Sequence, residues 1–128
     1  MNMAICYSLS KKPIAGKELY FATTRSAGVV SLEDLCCGIA RRCSVKMPVL
    51  RTAVMALSLA MKEELEQGRI VDMGEIGRFQ VSCGSNGVEE PEHFCSGRDM
   101  KDAKIIFRPG RGLKGMLKTV QYKQVAVL

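Results

Sequence analysis

Arg108, Arg111, Lys114 and Lys118 fall in one short stretch, Lys104 to Lys118, that reads KIIFRPGRGLKGMLK. At helical spacing the last three share a face. Cations in such a row suit phosphate, by charge and, for Arg, by paired hydrogen bonds. From Arg98 to Leu128 eight Lys or Arg stand against two Asp, a balance of +6, whereas residues 1–97 hold 11 basic and 11 acidic residues and sum to zero. A basic segment on a neutral body points to a polyanion partner, most often nucleic acid. A solvated helix face gives the same pattern, and the charge alone leaves both readings open. Backbone N–H groups of Gly112 and Leu113, at the start of the helix, would add donors for an anion.

Other chemistry is weakly supported. Gly110, Gly112 and Gly115 spell the dinucleotide-binding pattern G-x-G-x-x-G after a strand. That site needs a full strand-helix-strand unit and an acid about 20 positions on to hold the ribose. No Asp or Glu follows Asp102, and Met116 stands where a phosphate-binding loop needs Lys, so both readings fail. A catalytic site needs a nucleophile, a base and an orienting group in reach of one another. The one histidine, His93, lies beside Phe94 and Cys95 with no orienting group nearby, and Glu63, Glu64 and Glu66 read as a solvated helix end. No enzymatic activity and no cofactor is expected. The six cysteines (6, 36, 37, 43, 83, 95) contain no C-x-x-C pair. Free thiols in a reducing cytoplasm are expected, rather than a metal site or a Cys83–Cys95 bridge.

The 128 residues are enough for one domain with a real core, and 47% hydrophobic with 25% charged residues is a globular balance. No apolar run reaches the roughly 18 residues of a membrane span, and no secretory signal is visible.

The elements that must position the basic stretch follow from periodicity. Residues 3–9 alternate, with Ile5, Tyr7 and Leu9 on one face, and read as a strand. Residues 11–17 read as a turn or loop, and 18–24 as a second strand with Leu19 and Phe21 together. Two strands are not stable alone. A C-terminal segment with Val120, Tyr122, Val125 and Val127 is the candidate partner. Ser31 and Asp34 read as a helix N-cap with an acid at the third position, opening an amphipathic helix from Leu32 to Cys43 in which the cysteines act as small core residues. A second helix runs from Lys46 or Met47, with Pro48 in its first turn, to a stop at Gly68. Its apolar stripe (Leu50, Val54, Leu57, Met61, Leu65) is widened by Val49, Ala53, Met55, Ala56, Leu59 and Ala60. A surface helix needs only a stripe about 100° wide. The wider one fits an intimate homodimer or a deep core helix. Strand character at Val71, Met73, Ile76, Phe79 and Val81, broken by Gly74 and Gly77, makes a hairpin with a tight turn and a close backbone approach.

Two helices, a strand, the Ile76-Gly77-Arg78-Phe79 turn, an arm, and Phe107-Arg108-Pro109-Gly110-Arg111 with Leu113 and Lys114 opening a short helix form one ordered series. Over about residues 31–118 this series resembles the HU and integration-host-factor family of bacterial histone-like proteins. The added N- and C-terminal segments look like the longer HU-like variants of the Bacteroides group. The resemblance implies an α+β fold: a helical hairpin body, a β-sheet with an extended β arm, a short C-terminal helix and extra N-terminal strands. It implies one domain over 1–128, with 1–30 as the strand extension and 83–103 as the arm. It further implies an intertwined homodimer and a minor-groove arm with a Pro wedge. The arm departs from that pattern. Cys83 to Ala103 carries Glu89, Glu90, Glu92, Asp99 and Asp102 against Arg98 and Lys101, and its one proline, Pro91, sits between two acids.

The expected function is that of a histone-like nucleoid protein in the bacterial cytoplasm, binding double-stranded DNA with low sequence specificity. The expected contact residues are Arg108, Pro109, Gly110, Arg111, Lys114 and Lys118, flanked by Lys104 and Arg78, with Lys46 at the start of the second helix. Phosphate contacts of this kind position a protein without reading bases. The alternative is an HU-fold interaction module that has lost DNA wrapping and meets a protein partner through its acidic arm.

Overall fold

The computed structural model describes residues 3–125. The chain divides into two compact units, Met1–Met47 with Met116–Leu128, and Pro48–Gly115. The N-terminal extension thus belongs with the first helix and the C-terminal strand.

In the first unit, β1 (Ala4–Ile14) and β2 (Lys17–Arg25) form an antiparallel hairpin, and β6 (Gln121–Gln124) runs parallel to β1 on its other side. The sheet order is β2-β1-β6. The C-terminal segment is therefore the partner that the N-terminal strands need, and Val125 N–H adds a bond of 2.8 Å to Tyr7 O. Val127 lies outside the described residues. Residues 11–14, expected as loop, continue the strand. The turn is only Ala15-Gly16, with φ of 53° and 79°. Two left-handed residues in a two-residue loop match the twist of the strands they join, which is why so short a turn works. Pro13 is tolerated because β6 covers only Ala4 to Tyr7 and leaves that end of β1 with a free edge.

Helix α1 (Leu32–Cys43) starts at a reciprocal capping box: Asp34 N–H donates to Ser31 Oγ (3.1 Å), and Ser31 N–H donates to Asp34 Oδ2 (3.3 Å). Of its cysteines only Cys36 is buried, and Cys37 and Cys43 are exposed. All six cysteines of the chain are free thiols.

In the second unit, α2 (Met47–Glu66) ends in a Schellman motif. Gly68 N–H donates to Leu65 O (3.0 Å) and Arg69 N–H to Glu64 O (3.1 Å), with Gly68 at φ 79°. Then β3 (Val71–Asp72), β4 (Gly77–Ser85) and β5 (Met100–Pro109) form an antiparallel sheet in that order. The apolar face of the ladder carries Phe79, Val81, Ile105 and Phe107, and the Phe79 and Phe107 rings lie 5.0 Å apart. Together with Val54, Leu57, Met61 and Leu65 of α2, three of these line an open apolar groove of about 670 Å³. Most of α2 is uncovered: Val49, Met55, Leu57 and Leu59 are all exposed.

The extended arm expected from the resemblance is absent. The β4–β5 ladder stops at Ser85 opposite Met100, after an irregularity between Ser82 and Gly84 where Asp102 takes a left-handed φ of 56°. Residues 86–99 fold back as a loop holding a 3-10 turn (Pro91–His93) and a single turn of helix, α3 (Ser96–Asp99). Asp99 stitches this loop. Its carboxylate accepts from Cys95 N–H (2.9 Å) and from Arg98 Nε and Nη2 (3.2 and 3.0 Å), while its carbonyl accepts from Asn86 N–H (2.8 Å). The Arg98 hydrogen bonds first, then the Cys95 N–H, hold the carboxyl below its usual range against the opposing effect of burial. A local hydrogen-bond network of this density favours a compact loop over a long ribbon. Among the described residues no helix is long and apolar enough to cross a membrane.

Candidate nucleic-acid interface

The basic residues of the ladder are placed by the two-residue period of its strands. Phe79, Val81, Ile105 and Phe107 take the apolar face, so Arg78, Gln80 and Ser82 of β4, and Lys104, Ile106 and Arg108 of β5, take the other. The register sets Arg78 opposite Arg108, Gln80 opposite Ile106, and Ser82 opposite Lys104. On the far side of Arg78 stands Asp72 of β3, with its Oδ2 3.3 Å from Arg78 Nη2. Ile70, Arg78, Gln80, Ile106 and Arg108 surround a shallow notch. Three of the expected contact residues, Arg78, Lys104 and Arg108, are therefore brought onto one face. Lys104 and Arg108 carry no ion pair among the described residues.

The strand-to-helix junction is held by two glycines that touch backbone. A Cβ on Gly77 (φ 144°) would stand 2.3 Å from Arg108 O, and a Cβ on Gly110 would stand 2.3 Å from Gly74 O. Gly110 N–H also donates to Ile76 O at 2.9 Å. Pro109 pairs with Gly77 at the end of the ladder. Pro109 and Gly110, expected among the contacts, thus have a structural role, because they lock β5 and α4 (Arg111–Leu117) onto the β3–β4 turn. Arg111 and Lys114 lie three positions apart on α4, hence on one side of it.

One of the two donors expected for an anion at the start of α4 is already taken, and a carboxylate lies beside the other. Leu113 N–H donates to Glu75 O (3.4 Å), and a Cβ on Gly112 would meet Glu75 Oε2 at 3.0 Å. A carboxylate at that position repels phosphate. Gln80, Ser82 and Ile106 share the basic face and are not among the expected contacts. Their place is readable from periodicity, since they are two and four positions from Arg78 or two from Arg108 within strands of period two.

A family model described as "HU-HIG: HU domain fused to wHTH, Ig, or Glycine-rich motif" matches residues 3–124. The chain belongs to the HU-HIG family. The same fold is found in a crystal structure described as a "Putative bacterial DNA binding protein" from Bacteroides vulgatus ATCC 8482, at a TM-score of 0.70 and 12% sequence identity. The match covers 97% of this chain and 49% of that one, so the chain spans about half the length of its structural neighbour. No curated protein matches the chain.

Two expected residues of this HU-HIG chain lie in the other unit: Lys46, just ahead of α2, and Lys118, just past α4. The charge follows the same division. The second unit, which contains the basic ladder, holds ten basic and ten acidic residues, while the first holds nine basic and three acidic. The basic stretch seen along the sequence is thus shared between the units, and the whole net charge of +6 resides in the first.

Proposed function

We propose that this HU-HIG chain binds double-stranded DNA with low sequence specificity, through phosphate contacts from Arg78, Lys104, Arg108, Arg111 and Lys114, and works as a homodimer in the bacterial nucleoid. The observation that carries the reading is the register that puts Arg78, Lys104 and Arg108 on one face of a rigid ladder. Long cations on a sheet face can meet phosphates by charge, and phosphate contacts carry no base code. The description of the structural neighbour as DNA binding supports the same partner. A wedge at the tip of a long arm is not part of this reading. Pro91 opens a 3-10 turn inside a loop pinned by Asp99, and bending would have to come from the duplex following the protein surface.

The homodimer rests on surface that the chain leaves uncovered. Among the described residues Cys36 is the one fully buried apolar side chain. A chain of this size ordinarily buries roughly two thirds of its unfolded surface. Each Val, Leu or Met of α2 covered by a second copy would add about 1.5–3 kcal/mol.

The test is fluorescence anisotropy of a short labelled duplex over a salt series, with the wild type beside an Arg108→Ala, Arg111→Ala, Lys114→Ala variant. The log–log slope is about −0.9 per phosphate neutralised, so the variant is expected to be shallower by about 2–3. An interaction module that has lost DNA wrapping is the second reading. The even charge balance of the second unit and the exposed Glu89, Glu90 and Glu92 favour it. Absence of wild-type binding at low salt would decide for it.

A further inference from the structure

We propose that the sheet of the first unit carries a second duplex-binding surface, formed by Lys12, Lys17, Arg25 and Lys123. It goes beyond the reading above, because none of these residues belongs to the β4–β5 ladder. Alternation puts Cys6, Ser8, Ser10, Lys12 and Ile14 of β1 on one face. The register then sets Arg25 opposite Cys6, Thr23 opposite Ser8, Phe21 opposite Ser10, Leu19 opposite Lys12 and Lys17 opposite Ile14. From the other side β6 sets Lys123 opposite Cys6. One row, Lys123-Cys6-Arg25, therefore crosses all three strands. At the usual strand spacing its two cations are about 10 Å apart at Cα.

The sign of the face is unmixed. Glu18, the one acid in these three strands, stands on the opposite face and pairs there with Lys11. Within the three strands, four exposed cations and the hydroxyls of Ser10 and Thr23 share this side with no carboxylate. Arg25 is also held in place. Its Nε donates to the buried Ser8 Oγ at 2.6 Å, and its two terminal nitrogens have no partner among the described residues. A guanidinium fixed through Nε presents its remaining donors as a fork, the geometry that suits a phosphate. Lysines on edge strands also discourage edge-to-edge pairing. That role explains neither a tethered Arg nor the location of the whole net charge in this unit. Exposed cations and hydroxyls of this kind fit the phosphates of duplex DNA.

The experiment uses the full chain and the same duplex and salt series. A Lys12→Gln, Lys17→Gln, Lys123→Gln variant is compared with the corresponding triple Lys→Arg variant, which keeps the charge and checks that the strands tolerate substitution. The expected result is a slope shallower by about 2–3 in the Gln variant and unchanged in the Arg variant. A Gln slope equal to that of the wild type overturns the proposal. So does a Gln variant that loses anionic lipid vesicles while keeping the DNA slope. The ladder variant, run alongside, separates the two surfaces. If it alone is shallower, the ladder stands and the second surface falls; if the Gln variant alone is shallower, the reverse holds. Absence of wild-type binding overturns both.

Discussion

Arg78 and Arg108 stand directly opposite each other in the β4–β5 ladder. Like charges in that position repel. Asp72 offsets Arg78 only, through an exposed pair of the kind that contributes about 0–1 kcal/mol. An unbalanced Arg108 adds little to folding and is available to a phosphate. Arg108→Ala is therefore expected to lower the DNA salt slope by about 0.9 while changing folding stability by no more than about 0.5 kcal/mol. Anisotropy and chemical denaturation on the same sample check both halves. A loss of stability with an unchanged slope would make Arg108 a structural residue.

Gly77→Ala and Gly110→Ala test the junction that aims the basic residues. Each added Cβ would meet a carbonyl oxygen at 2.3 Å, and backbone cannot step aside as a side-chain tip can. Gly77 adds a φ of 144°, a region that L side chains rarely adopt. At Gly77 backbone strain alone gives a loss of about 1–3 kcal/mol, and at both positions displacement of the turn adds to the loss. Denaturation midpoints measure the effect. A midpoint shift below about 0.5 kcal/mol would show that the turn relaxes freely.

The helices are legible in the sequence because their signals are local. Ser31 with Asp34 marks the start of α1 at the residue where it falls, and Gly68 marks the stop of α2 two residues past its last helical residue, Glu66. Gly74 and Gly77 disclose a tight turn and a close backbone approach, but that Gly77 meets Arg108 and Gly110 shows only in the fold. The arm is not legible, for a non-local reason. Nothing in Glu89 to Asp102 announces that Asp99 will collect Arg98, Cys95 and Asn86 and close the loop. Residues 11–14 look like loop because of Pro13 and two lysines, whereas a free strand edge tolerates all three. The distribution of net charge is hidden for a topological reason. Gln121–Gln124 returns to β1, so Lys118 and Lys123 count with the N-terminal sheet rather than with Arg108.

The exposed face of α2 is the next point to probe. Met55 is 70% and Leu59 is 59% exposed in the single chain. If a second copy covers them, Met55→Glu with Leu59→Glu buries two unpaired carboxylates. Sedimentation should then show monomer where the wild type shows dimer, with a melting temperature that no longer depends on protein concentration. A wild type that sediments as a monomer at all concentrations would leave the wide apolar stripe without a partner of its own kind.

Asp99 makes the stability of the 86–99 loop dependent on pH, and the sign follows from the direction of its shift. Its carboxyl titrates below its ordinary value in the folded chain, chiefly through the Arg98 hydrogen bonds. The folded state therefore favours the ionised form. That stabilisation is complete above the unfolded value, about 4, and is lost as pH falls through the lower, folded value. Asp99→Asn removes the charge at every pH while keeping the size of the side chain. It should raise amide exchange in residues 86–99 at pH 7, and erase the acid-induced increase seen in the wild type. Exchange elsewhere in the second unit should stay the same, because the β4–β5 ladder does not pass through this carboxylate. Uniform exchange changes across the unit would instead show that the loop and the ladder open together, and that Asp99 holds the whole sheet.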